Sequence, residues 1–135
     1  MDNLIARVAE AADTNGETAR KAIALVVDFI KREAPDDAVQ ALLDKAPALN
    51  AIVASASSTG GEGMGGLLKG LMGTGAGAMG GGGLMALGGD LMGLGLGMGQ
   101  IQAVGKVVFD YARETAGDDV IGEISAAIPG LSQFI

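Results

Sequence analysis

Residues 28–49 read DFIKREAPDDAVQALLDKAPAL, and residues 110–131 read DYARETAGDDVIGEISAAIPGL. Both stretches run through the end of an amphipathic helix, a short break, an Asp-Asp start, a short helix, a proline stop and an apolar anchor. Laying residues 24–53 over 106–135 without a gap pairs Asp28 with Asp110, Ala34 with Ala116, Asp36-Asp37 with Asp118-Asp119, Pro47 with Pro129 and Leu49 with Leu131. Apolar and basic positions follow suit, since Phe29 meets Tyr111, Lys31 meets Arg113, Val39 meets Ile121, Leu42 meets Ile124, Ala46 meets Ile128 and Ile52 meets Phe134. A unit of this size cannot bury its apolar face alone, so the two helix pairs are expected to pack on each other about a pseudo-twofold axis. The fold class that follows is all-α.

Around the first pair, Leu4, Ile5, Val8, Ala11 and Ala12 recur at helical spacing, with Asp2 as the expected cap of a short first helix that stops near Asp13. Thr14 to Glu17 has the spacing of a capping box, with the Thr14 hydroxyl as the cap. The helix it opens runs to about Ala34, with Ala19, Ala22, Ile23, Val26, Phe29, Ile30 and Glu33 on one stripe and Lys31 and Arg32 complementing the dipole in its last turn. Pro35 ends it. The next helix buries Val39, Leu42, Leu43 and Ala46 until Pro47 interrupts the periodicity, and a single further turn is expected at Leu49–Val53.

Around the second pair, Leu84, Leu87, Leu91, Leu94, Met98 and Ile101 fall three or four apart and predict the core stripe of one glycine-rich helix. Gly89, Gly93 and Gly97 make a second stripe, for which close helix approach is the expected reason, because each interior glycine costs about 1 kcal/mol against alanine. A helix follows over about Gln100–Ala116, with Ile101, Val104, Val107, Val108 and Tyr111 or Ala112 inward. Gly117 stops it. The last helix places Val120, Ile121, Ile124 and Ile128 inward before Pro129-Gly130, and Leu131, Phe134 and Ile135 close the chain. The expected organisation is one co-folded domain, with residues 1–53 carrying the first pair, 54–83 a flexible glycine-rich linker and 84–135 the second pair. Within the linker only a short amphipathic helix at Gly66–Met72 is foreseen.

The residues of the repeat also carry a likeness. In Glu17 to Ile30, the Asp36-Asp37 start and the stretch Ile124-Ser125-Ala126-Ala127-Ile128-Pro129-Gly130-Leu131, the chain resembles bacterial proteins of the family called domain of unknown function 2267, small helical proteins with paired helices and Leu-Pro or Ile-Pro helix ends. The first copy reads Ala46-Pro47-Ala48 at the matching place. A second likeness, to the VcgC/VcgE-like bacterial proteins, lies in a Leu/Ala helix, a proline-ended helix and a glycine-rich middle. Neither resemblance implies an activity, a cofactor or a catalytic residue.

Composition narrows function by exclusion. The net charge of −7 opposes a nucleic-acid partner and an anionic membrane. With no cysteine and no histidine, thiol nucleophiles, zinc-thiolate sites and an imidazole base are excluded, leaving Asp, Glu, Lys and Tyr for proton transfer. The acidic, amphipathic N-terminus does not read as a secretory signal, so the cytoplasm is expected. The uncharged run from Gly70 to Gly89 has few large apolar side chains for a membrane span.

Asp36-Asp37 and Asp118-Asp119 could bring hard oxygens to Mg or Ca, or simply serve helix starts, and the second reading is preferred. Gly66-Leu67-Leu68-Lys69-Gly70 lacks the Lys-Ser/Thr ending and the strand of a phosphate-binding loop. No metal or cofactor is implied. Met64, Met72, Met79, Met85, Met92 and Met98 recur at steps of six to eight and suit an adaptable apolar surface, though Met92 and Met98 also fit ordinary core filling. The candidate interaction surface is therefore Leu67, Leu71, Met72, Met79, Met85 and Met92. A non-enzymatic interaction or self-association module is expected, with a homo-oligomer or a protein as partner. Membrane-surface or apolar-ligand binding through the Gly/Met/Leu segment is the alternative.

Overall fold

A computed structural model describes residues 2–60, 84–128 and 130–131, and every regular element among them is an α-helix. In chain order these are α1 (Asp2–Ala11), α2 (Gly16–Glu33), α3 (Asp36–Lys45), α4 (Pro47–Gly60), α5 (Leu84–Gly93), α6 (Met98–Ala116) and α7 (Asp118–Ala127). The central helix is α2, which packs against α1, α3, α4, α5 and α6. The remaining contacts run α1 to α6, α3 to α4, α6 and α7, and α6 to α5 and α7.

Helix boundaries recur at one constant offset. Asp2 and Leu84, Gly16 and Met98, and Asp36 and Asp118 open the three successive helices of each half. The correspondence reaches back to α1 and α5, beyond the pair seen in the sequence. Burial follows the same offset at Ala19 and Ile101, Ala22 and Val104, Val26 and Val108, Val27 and Phe109, Ile30 and Ala112, Val39 and Ile121, Leu42 and Ile124, and Leu49 and Leu131. Contacts cross between the halves, since α1 lies on α6 while α5 lies on α2. Apolar stripes at helical spacing explain this arrangement, because each helix offers one face that only a neighbour can cover.

Two helix ends share a geometry. After α1 the Thr14 N–H donates to the Ala9 carbonyl at 2.9 Å and the Asp13 N–H to that of Glu10 at 3.3 Å, with Asp13 at φ +48°. After α5 the Leu96 N–H donates to the Leu91 carbonyl at 3.3 Å and the Gly95 N–H to that of Met92 at 2.9 Å, with Gly95 at φ +89°. Both are left-handed caps that satisfy the last carbonyls of a helix and reverse the chain.

Several sequence expectations need correction. The cap of α2 is Asn15, whose side-chain oxygen accepts from the Thr18 N–H at 2.7 Å. Glu17 pairs instead with Lys21 at 3.3 Å. Glu33 is exposed at the end of the α2 stripe, where Val27 is buried. Pro47 begins α4 rather than merely ending α3, which suits a residue that lacks the N–H a first helical position leaves unused. From there α4 continues to Gly60, through the start of the expected linker, and its Leu49 and Ile52 are fully buried.

The single helix expected from Leu84 onward is two helices. They are broken at residues 94–97, where Gly95 takes a backbone conformation closed to most side chains. Nor do Gly89 and Gly93 mark close helix approach, since a Cβ built on either meets nothing within 4 Å. Of the alternatives Tyr111 and Ala112 it is Ala112 that is buried, and Phe109 is buried where Val107 is only half-buried. The short helix expected at Gly66–Met72 and the closing Phe134 and Ile135 lie outside the described residues.

Candidate functional site

Turning the chain at Gly95 lays α5 back across α2 and α6. Leu96, just past the turn, is buried together with Leu91, which anchors the end of α5 as such caps usually are anchored. The next helix is held at its own start. The Gly97 N–H donates to Gln100 Oε1 at 2.7 Å, and Gln100 Nε2 donates to the Ala12 carbonyl at 2.6 Å, tying the first turn of α6 to the end of α1.

Between α2, α5 and α6 lies a cavity of about 400 Å³. Val26 and Phe29 come from α2; Leu87, Gly88, Gly89, Leu91 and Met92 from α5; Met98, Ile101, Gly105 and Phe109 from α6; and Leu131 from the turn after α7. Among the described residues that line it, no side chain bears oxygen or nitrogen. Leu91, Phe109 and Leu131 are almost wholly buried, whereas Met92 is 50% exposed and Met98 is 72% exposed. The two methionines therefore form the solvent edge of a recess whose inner wall is core. This corrects the reading of both as core filling.

The recess exists because side chains are missing at specific places. A Cβ added at Gly88, Gly89 or Gly105 meets nothing within 4 Å. At the offset that relates the halves, Gly105 stands where the first half has Ile23, a fully buried core residue. Likewise Leu87 stands at the place of Ile5, Ile101 of Ala19, Phe109 of Val27 and Leu131 of Leu49. One half fills this position; the other leaves it hollow.

Of the residues expected to form an interaction surface, Met92 lines the recess and Met85 lies in α5. Leu67, Leu71, Met72 and Met79 lie outside the described residues. Phe29 is read from the sequence only as part of the α2 stripe, and Phe109 and Gly105 are not singled out there. Extending the alignment by one residue, from Ala24 and Lys106 back to Ile23 and Gly105, exposes the signal.

The two acid pairs occupy the first turns of α3 and α7, where the helix dipole favours carboxylates, and all four are exposed. Asp118 pairs with Arg113 at 2.9 Å. Among the described residues no three His, Cys, Asp or Glu side chains converge as metal ligands would. No described helix is long and apolar enough to cross a membrane. Comparison with known protein families, curated proteins and solved structures finds no match to this chain.

Proposed function

We propose that this chain is a cytoplasmic, non-enzymatic binding module that takes an apolar partner into the recess between α2, α5 and α6. The observation that carries the reading is the recess itself. Its volume of about 400 Å³ falls within the roughly 300–1,000 Å³ of ordinary ligand sites, which are concave, mostly apolar and usually pre-formed. Among the described residues its lining offers no side chain that could move a proton or polarise a carbonyl, so binding rather than catalysis is the chemistry it supports.

The test is fluorescence of N-phenylnaphthylamine, an apolar dye that brightens in a dry site. Saturable brightening by the parent chain, lost in Gly105→Ile, is the expected result. Equal brightening in both chains would defeat the proposal.

A second reading, self-association, draws on the exposure of Met92 and Met98. Light scattering on Met92→Lys/Met98→Lys tests it, and an oligomer that survives both substitutions rules this edge out as its interface.

A further inference from the structure

We infer that the ligand is the aliphatic chain of a free single-tailed amphiphile, on the reading that the recess is a binding site. The shape of the hollow is the first argument. It faces the same apolar neighbours that a filled core would have, but Gly105 withholds the side chain that Ile23 supplies in the other half. Leu91, Ile101, Phe109 and Leu131 are all buried around it, so the space is bounded by ordered core and does not result from loose packing throughout.

Chemistry fixes what can enter. Among the described residues no lining side chain can pair with a buried polar group, and an unpaired one is costly to bury, so the part of the ligand inside is hydrocarbon. The open side at Met92 and Met98 leaves a polar head in water, while the methionine side chains adapt to the chain that passes between them. Size sets the length. An apolar cavity of about 150 Å³ takes benzene, and on that scale about 400 Å³ holds roughly ten to sixteen carbons.

The same dimensions argue against other occupants. A stable protein interface uses about 20–30 residues a side, whereas 12 described residues line this recess, three of them the glycines Gly88, Gly89 and Gly105. A bilayer surface is engaged by protruding apolar area, yet among the described residues only Met92 and Met98 are large exposed apolar side chains. A net charge of −7 adds repulsion from anionic lipid.

Displacement of N-phenylnaphthylamine by a series of primary alkanols, from hexanol upward, tests the inference on the full chain. Affinity is expected to tighten about fourfold per added methylene and to level off at roughly ten to sixteen carbons, where the recess is full. Gly105→Ile shortens the chain length at the plateau or abolishes displacement, and Gly122→Ala on α7, away from the recess, leaves it unchanged. Neutral phosphatidylcholine vesicles are expected not to co-float the protein. If the dye binds in the recess but no alkanol displaces it, the inference falls while the binding reading stands. Affinity that climbs with length without a plateau, or co-flotation with vesicles, also overturns it. Dye that binds only after dilution identifies a second copy as the occupant and overturns it too; dye that never binds removes both.

Discussion

The amide of Gln100 reaches the carbonyl of Ala12 across the interface of α6 and α1, at 2.6 Å, while its oxygen holds the Gly97 N–H at 2.7 Å. One side chain thus caps the start of α6 and also serves the end of α1, beside a core that among the described residues contains no buried polar side chain. Gln100→Met keeps the stem and removes both bonds. It is expected to lower stability by about 1–3 kcal/mol, chiefly the cost of leaving the part-buried Ala12 carbonyl unpaired, as read by urea unfolding. An unchanged midpoint would show that water replaces both.

Filling the hollow trades binding for stability. Gly105→Ile adds a side chain where a Cβ meets nothing within 4 Å, and also relieves part of the helix cost of glycine. Stability is expected to rise by about 1–3 kcal/mol, with the melting temperature rising while dye binding is lost. A fall in stability would show that the recess is too narrow for a branched side chain.

Two positions with positive φ respond in opposite senses. Gly117, at φ +96° and ψ 163°, links α6 to α7, and an added Cβ there meets nothing, so Gly117→Ala reads backbone strain alone. It is expected to destabilise by about 1–3 kcal/mol. Asp13→Gly, at φ +48°, relieves a non-glycine residue in a left-handed cap and is expected to stabilise by about 0.5–1 kcal/mol. Thermal unfolding of the two variants gives both signs, and shifts in the same direction would contradict this account.

Oxidation converts the apolar edge of the recess into a polar one. Mild peroxide turns exposed Met92 and Met98 into sulfoxides, and dye affinity is expected to drop several-fold, with recovery after methionine sulfoxide reductase. The variant Met92→Leu/Met98→Leu retains affinity under the same treatment. Loss of affinity in that variant would locate the sensitive groups elsewhere.

The helix ends were legible because capping is local. Pro35, Gly117 and the Asp-Asp starts mark boundaries through their own backbone requirements, and those boundaries appear in the fold. Thr14 and Asn15 are both good capping types in adjacent positions, and the extended backbone of Asn15, at φ −80° and ψ 162°, with its side-chain bond to the Thr18 N–H, marks it as the cap. The break at residues 94–97 was hidden among many glycines. Its mark is positional, since Gly95 stands at the offset of Asp13, the cap of α1. The recess is not legible in the sequence for a different reason: apolar periodicity records side chains that are present, and this site is made by one that is absent, at Gly105.

The all-apolar interior has a mechanical consequence. Contacts between saturated side chains have no preferred direction, so a helix packed only through them can shift without breaking any bond between side chains. Across the hollow, α5 faces α2 and α6 through Leu87, Leu91 and bare glycine. The α5 wall can therefore yield a little to a stouter guest, while the buried Ile101, Phe109 and Leu131 hold the floor of the recess, and with it the length of chain it takes, fixed.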